Sequence, residues 1–390
     1  MRRLFRGEPP ATEVTANENN SRPSPTRTHK PPRYGEDTYV YKGMKPSRYL
    51  IPIVRFLLPL LTVALLTLCV LRCAVRGWPD VWTALAALWQ GAFGSPYDVG
   101  NTLNKTTPLI LTGLGVAVAF RARMWNIGGE GQFLLGAVAA SAVGAYGLRH
   151  ITPIVLISLM LVAALVAGAG WGALAGFMRT KRNVPEVIST IMLNFVAFEL
   201  LSYLLHGPMQ EKTHAQPASE AVPDQAMLPV ILPHTTLHAG LWIALAASVV
   251  VFVLLFYTRA GFALRVTGAN PEAARAAGID VPRTLIVAML WSGALCGLGG
   301  GVELSGVLGT LYESYAPGYG FTAIAVALLG RLNPLGIVAA ALFFGALTSG
   351  CGSMERVAGV SFALSYVIQA VTLLVLLAYQ RVTWPVKEAA

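Results

Sequence analysis

The chain has 390 residues, of which 55% are hydrophobic and 12% charged, and its net charge is +10. This composition excludes most water-soluble folds, because a chain with so few charges and long apolar runs avoids aggregation only with lipid as its solvent. We therefore predict an all-α polytopic membrane protein.

Residues 1–50 form a basic tail ahead of the first apolar run. They hold 15 of the 48 charged side chains, ten of them basic, together with many Pro, Asn and Thr residues. This composition predicts a disordered cytosolic extension, and it contains no apolar stretch that could form a signal-peptide core. Contact with membrane lipid is favoured over nucleic acid, since the basic residues lack the aromatic interleaving of nucleic-acid sites.

Between residues 51 and 381 the chain contains a series of apolar stretches long enough to cross a bilayer as helices. The predicted spans are residues 52–71, 106–120, 127–146, 152–178, 185–205, 239–258, 284–304, 334–351 and 360–379. A shorter run at residues 321–330 fits a half-helix, which brings the prediction to about ten transmembrane helices including one short or broken segment. Residues 382–390 are predicted as a C-terminal tail.

Lys and Arg residues are unevenly distributed between the two sides of these spans. With both termini in the cytosol, 23 lie on the cytosolic side and six on the external side, and 12 against six remain without the tail. The positive-inside rule therefore predicts cytosolic termini, an external loop at residues 207–238 and a cytosolic loop at residues 259–283.

The cytosolic loop contains the signals of a short helix. Asn270 is a good N-cap, Pro271 suits the first helical position, and Glu272 favours the positive end of the helix dipole. Gly278 can adopt the left-handed conformation that ends a helix. A helix of two turns is unstable alone, so it either lies against its own bundle or docks on a separate cytosolic protein. The chain has no G-x-x-x-x-G-K-[ST] phosphate loop, so an ATPase would be a separate subunit.

Polar residues interrupt the apolar sequence at several predicted spans. Asn126, Glu130 and Gln132 lie among glycines, where Glu130 either has a functional role or caps a helix at the cytosolic boundary. Asn194 and Glu199 contact substrate or form interhelical hydrogen bonds, and the second reading is at least as favoured. The small residues at 163–176 predict a packing face.

The second half of the chain is interrupted by glycines at residues 299–301, by Glu303, by residues 317–320 and by Asn333-Pro334. Broken segments in both halves are typical of an internally repeated transporter, so we predict an internal repeat. The cysteines, Cys69, Cys73, Cys296 and Cys351, are interpreted as small packing residues. The six histidines are scattered, which predicts no metal site.

Four motifs, at residues 126–132, 185–194, 268–279 and 323–336, together resemble the permease subunits of bacterial ABC importers. The resemblance runs from about residue 50 to residue 380 and is most specific for the nucleoside and simple-sugar branch, relatives of the ribose and branched-chain amino-acid permeases. It implies a multi-pass, non-catalytic subunit of the bacterial cytoplasmic membrane, without a cofactor of its own.

The partners that this resemblance implies are a second permease chain, identical or homologous, an extracytoplasmic solute-binding protein, and cytosolic ATP-binding subunits that bind ATP and Mg²⁺. Residues 268–279 resemble the family's coupling segment, which enters a groove of the ATP-binding subunit. The residues implied in this contact are Gly268, Asn270, Pro271, Glu272, Ala273, Ala274, Arg275, Ala277 and Gly278.

Nucleosides are uncharged and carry a flat base, so their pathway needs amide or hydroxyl partners and aromatic surface. The candidate pathway residues are Trp125, Asn126, Glu130, Gln132, Asn194, Glu303 and Tyr319. The same groups suit a free sugar, a nucleobase or riboflavin. The alternative from another class is a proton-coupled secondary transporter, in which Glu130, Glu199 or Glu303 would carry protons.

Overall fold

The structure, a computed structural model, describes residues 61–62, 65–73, 77–147, 151–313 and 315–383. The predicted basic tail, the first part of the first predicted span and residues 384–390 lie outside these ranges. The described residues form thirteen α-helices and no regular strand, with three isolated β-bridges. The helices are α1 (65–73), α2 (Trp78–Phe93), α3 (Pro96–Arg121), α4 (Gly129–Tyr146), α5 (Pro153–Arg182), α6 (Glu186–Leu205), α7 (Gly240–Tyr257), α8 (Arg259–Ala269), α9 (Pro271–Ala276), α10 (Val281–Glu303), α11 (Tyr319–Leu329), α12 (Pro334–Ala358) and α13 (Ala363–Thr383).

Six of the described helices, α3, α5, α6, α7, α10 and α12, are long and apolar enough to cross a membrane. Each coincides with a predicted span, and the predicted spans at residues 127–146 and 360–379 are helical as α4 and α13. The short run is helix α11, which has 11 residues. It is about 16 Å long, roughly half of the hydrocarbon layer, so its length is that of a half-helix.

The start of the domain differs from the prediction. α2 lies where no span was predicted, and α3 begins at Pro96, ten residues before the predicted boundary. Ser95 caps α3, because its Oγ accepts a hydrogen bond from the amide of Asp98 at 3.2 Å. Hydropathy did not predict this part of the helix, because residues 101–107 are mostly polar. Lys105, which the orientation count placed in an external loop, therefore lies inside α3.

Helix α10 forms the centre of the bundle and packs against α3, α4 and α5. It meets α5 through glycines: a Cβ atom on Gly168 would collide with the carbonyl oxygen of Gly293, and one on Gly293 with that of Gly168. Apolar burial gives little driving force between helices in lipid, so close backbone packing has to supply it. The predicted packing face at residues 163–176 is confirmed.

The break in the second half lies beyond the glycines that suggested it. α10 continues unbroken through residues 299–301 to Glu303, and a π-helical turn, Leu304–Leu308, follows. Gly309 and Gly318 adopt left-handed backbone conformations, with φ of 65° and 73°. The turn and loop between α10 and α11 thus interrupt the helical path, and the short α11 starts anew at Tyr319.

Apolar side chains cover the outward faces of α5 and α7. Ile154 is 79% exposed and Val166 61% on α5, while Trp242 is 62% exposed and Val249 61% on α7. Exposed apolar faces of this extent on long helices fit contact with lipid chains.

We expect Gly168→Val to destabilise the chain by about 1–3 kcal/mol or more, because the added side chain would overpack the α5–α10 contact. Thermal unfolding of the detergent-purified chain measures the effect. Gly170→Val is the matched control, since it makes the same change two residues along α5, where an added Cβ meets no atom within 4 Å. Equal unfolding temperatures for the two variants would contradict the packing.

Candidate functional site

The amide side chains of Asn126 and Gln132 bind each other at the start of α4. Nδ2 of Asn126 donates to Oε1 of Gln132 at 2.8 Å and to Oγ of Ser292 on α10 at 2.7 Å. Nε2 of Gln132 donates to Oδ1 of Asn126 at 3.2 Å. Asn126 is 0% exposed and Gln132 1%. These two candidate pathway residues therefore hold the bundle together in this conformation and line none of the three cavities described below.

Asn194 connects α6 to the same region. Its Nδ2 donates to the carbonyl oxygen of Ile127 at 2.9 Å, and its Oδ1 accepts from the amide of Gly131 at 2.8 Å. Asn194 is 2% exposed. Of the two predicted roles, the structure shows the interhelical hydrogen bonds.

Glu130 joins α4 to the beginning of the half-helix α11. Its Oε1 accepts from the amide of Gly318 at 2.9 Å and its Oε2 from the amide of Gly320 at 2.7 Å. The two helix starts approach so closely that a Cβ on Gly320 would collide with the backbone of Glu130. The carboxylate thus caps the N-terminus of a different helix, where backbone N–H groups lack helical partners and the dipole favours an anion.

Trp125 lies at the surface of the loop between α3 and α4. It is 50% exposed, and its ring packs against Phe120 with 4.7 Å between the ring centroids. Phe120 is near the end of α3, two residues from Ala122, which follows the helix. The indole is therefore available at this end of the bundle rather than buried in its centre.

Two cavities share Lys105 on α3 and Tyr319 on α11 as wall residues. We call the larger one, of about 340 Å³, the outer cavity, because residues of the predicted external loop line it. Its walls are Asn101, Asn104, Lys105, Val230, Thr235, Thr236, Glu303, Gly306, Val307 and Tyr319. The inner cavity has about 240 Å³ and is lined by Lys105, Leu109, Pro317, Tyr319, Thr322, Thr348, Phe362, Tyr366 and Gln369.

Glu303 is the acidic residue of the outer cavity and is 6% exposed. Its Oε1 lies 3.5 Å from the hydroxyl of Tyr319, which donates to it. Its Oε2 is buried and makes no hydrogen bond of good geometry among the described residues, although the hydroxyl of Tyr315 lies beside the carboxylate. The positive charge of Lys105 acts on this carboxylate through space. Of the predicted pathway residues, Glu303 and Tyr319 are the two that the structure brings together at these cavities.

His238 lies at the end of the external loop, behind the outer cavity. A Cβ on the cavity residue Gly306 would collide with its ring, and its Nδ1 accepts from the amide of Gly240 at 3.1 Å. Burial lowers the pKa of the imidazole to about 4, because the charged form loses hydration. His238 is therefore neutral at pH 7 and adds no charge to this region.

A third cavity, of about 440 Å³, lies between α6, α11 and α13. It is lined by Glu130, Phe198, Ala316, Gly318, Phe321, Thr322, Ala325, Tyr366, Gln369 and Ala370. Thr322, Tyr366 and Gln369 also line the inner cavity. The third cavity thus adjoins the inner one, and all three cavities have residues of α11 in their walls.

The sequence reasoning missed Lys105, Asn101 and Gln369 as wall residues. Lys105 and Asn101 were read as loop because their neighbours are polar, yet their spacing of four residues places them on one face of α3. Helical periodicity ahead of the apolar run was the signal that could have found them. Gln369 is an isolated polar residue in an apolar run, and nothing in its spacing pointed to a cavity.

The short helix predicted around residues 270–278 is confirmed as α9, Pro271–Ala276. Oδ1 of Asn270 accepts from the amides of Glu272 and Ala273 at 2.9 and 3.1 Å, which is the geometry of an N-cap. Pro271 occupies the first helical position, and Gly278, with φ of 78°, lies beyond the helix end in the left-handed region. This local structure follows from the residues that the sequence analysis identified.

Most of α9 is exposed, with one exception. Glu272, Ala273, Arg275 and Ala277 are exposed, whereas Ala274 is 0% exposed. Ala274 therefore packs against the chain itself, and the exposed surface of this element consists of its neighbours.

Helix α8 fastens this element to the end of α3. A Cβ on Gly268 would collide with the carbonyl oxygen of Arg121. The guanidinium groups of Arg121 and Arg265 lie 5.0 and 5.6 Å from the centroid of the Phe256 ring on α7. Nε of Arg121 also donates to the carbonyl oxygen of Leu332 at 3.0 Å. These contacts connect the α8–α9 element to α3, α7 and the loop before α12.

Comparison with known proteins identifies relatives over most of the chain. Residues 99–377 match the family described as branched-chain amino acid transport system, permease component. The chain is 40% identical to the glucose ABC transporter permease protein TsgB13 of Haloferax volcanii, over 76% of this chain and 80% of that protein.

Two further relatives carry names that refer to nucleosides. The guanosine ABC transporter permease protein NupP of Bacillus subtilis is 36% identical, over 84% of this chain and 92% of that protein. The nucleoside ABC transporter permease protein NupB of Lactococcus lactis is 33% identical, over 80% of this chain and 86% of that protein.

We expect Glu130→Gln to lower the free energy of unfolding by about 1.5–3 kcal/mol, because an amide NH₂ replaces one of two charged acceptors and faces a backbone N–H. Thermal unfolding in detergent tests this, and transport should fall with it. Glu186→Gln is the control, since Glu186 forms a partly exposed pair with Arg179 (3.1 Å) whose loss costs at most about 1 kcal/mol. Wild-type stability of Glu130→Gln would contradict the capping role.

Proposed function

The chain belongs to the family of branched-chain amino acid transport system permease components and is a permease subunit of an ABC importer, and from this premise we propose that it carries nucleosides. The observation that supports this substrate most is the group of cavities beside α11, whose walls combine amide and hydroxyl groups with the rings of Tyr319, Tyr366 and Phe362. Such walls suit an uncharged solute with a flat base and several hydroxyl groups.

A free simple sugar is the second candidate substrate. The relative from Haloferax volcanii, named for glucose, is 40% identical, against 36% and 33% for the two named for nucleosides. The proton-coupled alternative is not favoured, since the family consists of ABC permeases and Glu130 has a capping role at α11.

For the membrane arrangement, the proposal is about ten crossings with both termini in the cytosol of a bacterial inner membrane. The charge distribution supports this orientation, because 23 Lys and Arg residues lie on the cytosolic side against five outside once Lys105 is assigned to α3. The meeting of the α4 and α11 starts at Gly129 and Gly320 supports an internal repeat, because corresponding helix starts of two halves meet near the centre of such transporters. Residues 1–50 and 382–390 are then cytosolic tails, the first one near anionic lipid.

For coupling, the proposal is that α9 enters a groove of a separate ATP-binding subunit, which binds ATP and Mg²⁺. Its exposed surface and its attachment to α3 through Gly268 support this role. Closure of the ATP-binding subunits would then move α9 and the attached helix ends together. On the other side, the external loop at residues 207–238 would receive the solute-binding protein.

A second permease chain is proposed to cover α6. Glu199 is exposed on this helix although it is the fourteenth of its 20 residues, and apolar side chains such as Phe195, Val196 and Tyr203 surround it. A carboxylate within a membrane span faces protein or water rather than lipid, because lipid cannot hydrate it. The 440 Å³ cavity beside α6 would then lie between the two chains.

Purification from the native membrane in mild detergent tests the proposed function. We expect ATP-binding subunits and a second permease chain to co-purify, and a nucleoside-loaded solute-binding protein to stimulate ATP hydrolysis. Stimulation by a sugar-loaded protein alone would replace the nucleoside with a sugar. Uptake that stops when the proton gradient is collapsed at constant ATP would overturn the ATP-driven mechanism.

We expect Ala277→Glu to reduce ATP-driven uptake at least tenfold, because a charged side chain on the exposed end of α9 would obstruct its groove. Uptake and the amount of co-purified ATP-binding subunit are measured at equal amounts of chain in the membrane. Ala215→Glu makes the same change at an exposed position on the opposite side of the chain and should leave the amount of co-purified ATP-binding subunit at the wild-type level. If Ala277→Glu behaved like this control, the coupling assignment would be wrong.

A further inference from the structure

We propose that the outer cavity binds the sugar ring of the transported solute, and that Glu303 and Lys105 bind neighbouring hydroxyl groups of that ring. This inference rests on the proposed function and assigns the sugar, rather than the base, to these two residues. The first observation is the carboxylate of Glu303, which lines the cavity and is 6% exposed. Its Oε2 is buried and makes no hydrogen bond of good geometry in the described part of the chain, although the hydroxyl of Tyr315 lies beside the carboxylate.

This state is costly, because the buried Oε2 has lost its hydration and has no hydrogen bond of good geometry in return. The other oxygen receives one long hydrogen bond, 3.5 Å from the hydroxyl of Tyr319. A solute hydroxyl that donates to this carboxylate, in place of the tyrosine hydroxyls beside it, reduces this cost. The gain is available to a hydroxyl or N–H donor and not to an anion.

The second observation is the position of Lys105. Its ammonium group carries three donors and no acceptor, and it lines the outer cavity together with Glu303. A sugar hydroxyl can donate to the carboxylate while its neighbour accepts from the ammonium group, so a vicinal diol uses both charges at once. A nucleobase has no such pair of adjacent hydroxyls.

The remaining walls favour a neutral, hydroxyl-rich ligand over a charged one. The walls hold one basic and one acidic side chain, Lys105 and Glu303, so neither sign of charge predominates, and His238 behind the cavity is neutral because burial lowers its pKa to about 4. Asn104 is already held by Thr236, since its Nδ2 donates to the carbonyl oxygen and hydroxyl of that residue at 2.6 and 3.0 Å. Asn101 and Thr235 add further polar side chains to the walls.

Tyr319 places this site on the way to the inner cavity. It lines both cavities, and its hydroxyl is bound to Glu303. A sugar hydroxyl that binds Glu303 displaces the hydroxyl of Tyr319 from the carboxylate. The side chain of Tyr319 can then move. The inner cavity, with the rings of Phe362 and Tyr366 and the amide of Gln369, would then receive the base of a nucleoside.

The test is equilibrium binding to the permease–ATPase complex in nanodiscs, without the solute-binding protein, so that the selectivity measured belongs to this complex. The ligands are the nucleoside that the wild-type importer transports best, its 2′,3′-dideoxy analogue, free ribose and a zwitterionic amino acid. The variants are Glu303→Gln and Lys105→Met. Lys212→Met, at an exposed lysine of the external loop that pairs with Glu220 at 3.1 Å, is the control.

Wild type and control should prefer the nucleoside over its dideoxy analogue at least tenfold, and each variant should lose most of this preference. The double variant Lys105→Met with Glu303→Gln removes both charges and leaves no uncompensated one, so it should remain folded and show the same loss. If free ribose competes as well as the nucleoside, the site binds the diol of a free sugar. If ribose competes more weakly, the site binds the diol of a nucleoside.

Several results would overturn the inference. Equal losses of affinity for the nucleoside and the dideoxy analogue would show that the two residues act only on the fold. Competition by the amino acid would assign the charge pair to a zwitterion. A wild-type importer that transports neither nucleosides nor sugars would refute the proposed function itself, whereas nucleoside transport with unchanged preference in the double variant would refute this site alone.

Discussion

The arrangement of the bundle depends on the contact between the carboxylate of Glu130 and the first amides of α11. A half-helix that begins inside the bundle has N–H groups without acceptors, and a buried carboxylate needs hydrogen-bond donors. Each therefore stabilises the other. The distances of 2.9 and 2.7 Å to Gly318 and Gly320 satisfy both. Since α11 lines all three cavities, this contact also sets the position of their common wall.

Around this contact, the polar groups of the bundle serve two distinct purposes. Asn126, Gln132 and Asn194 are hydrogen-bonded within the protein and tie the loop before α4 to α6 and α10. Glu303 and Lys105 lie instead along a cavity and leave hydrogen-bonding capacity unused. The first group holds the helices together, whereas the second group can bind a solute.

Helix α3 connects the two ends of the proposed transport cycle. Lys105 lies in the cavity wall near one end, and Arg121, at the other end, meets α7, α8 and the loop before α12. The two residues are about 24 Å apart along the helix axis. Pro108 lies between them and removes a backbone hydrogen bond from the helix. A displacement of α9 that tilts α3 at Arg121 would therefore alter the outer cavity at Lys105.

The sequence by itself determined the membrane class, most helices and the caps of α9, because hydrophobic runs and capping residues act over one or two turns of the local chain. It also identified Glu130, Glu303 and Tyr319 as residues in unusual surroundings. The tertiary structure decided what each side chain contacts, because the partners are distant in sequence. The amide of Gly318, which donates to Glu130, lies 188 residues further along the chain. Lys105 became a wall residue only through the packing of α3 and α10, where a polar helix face is stable because it is turned away from lipid.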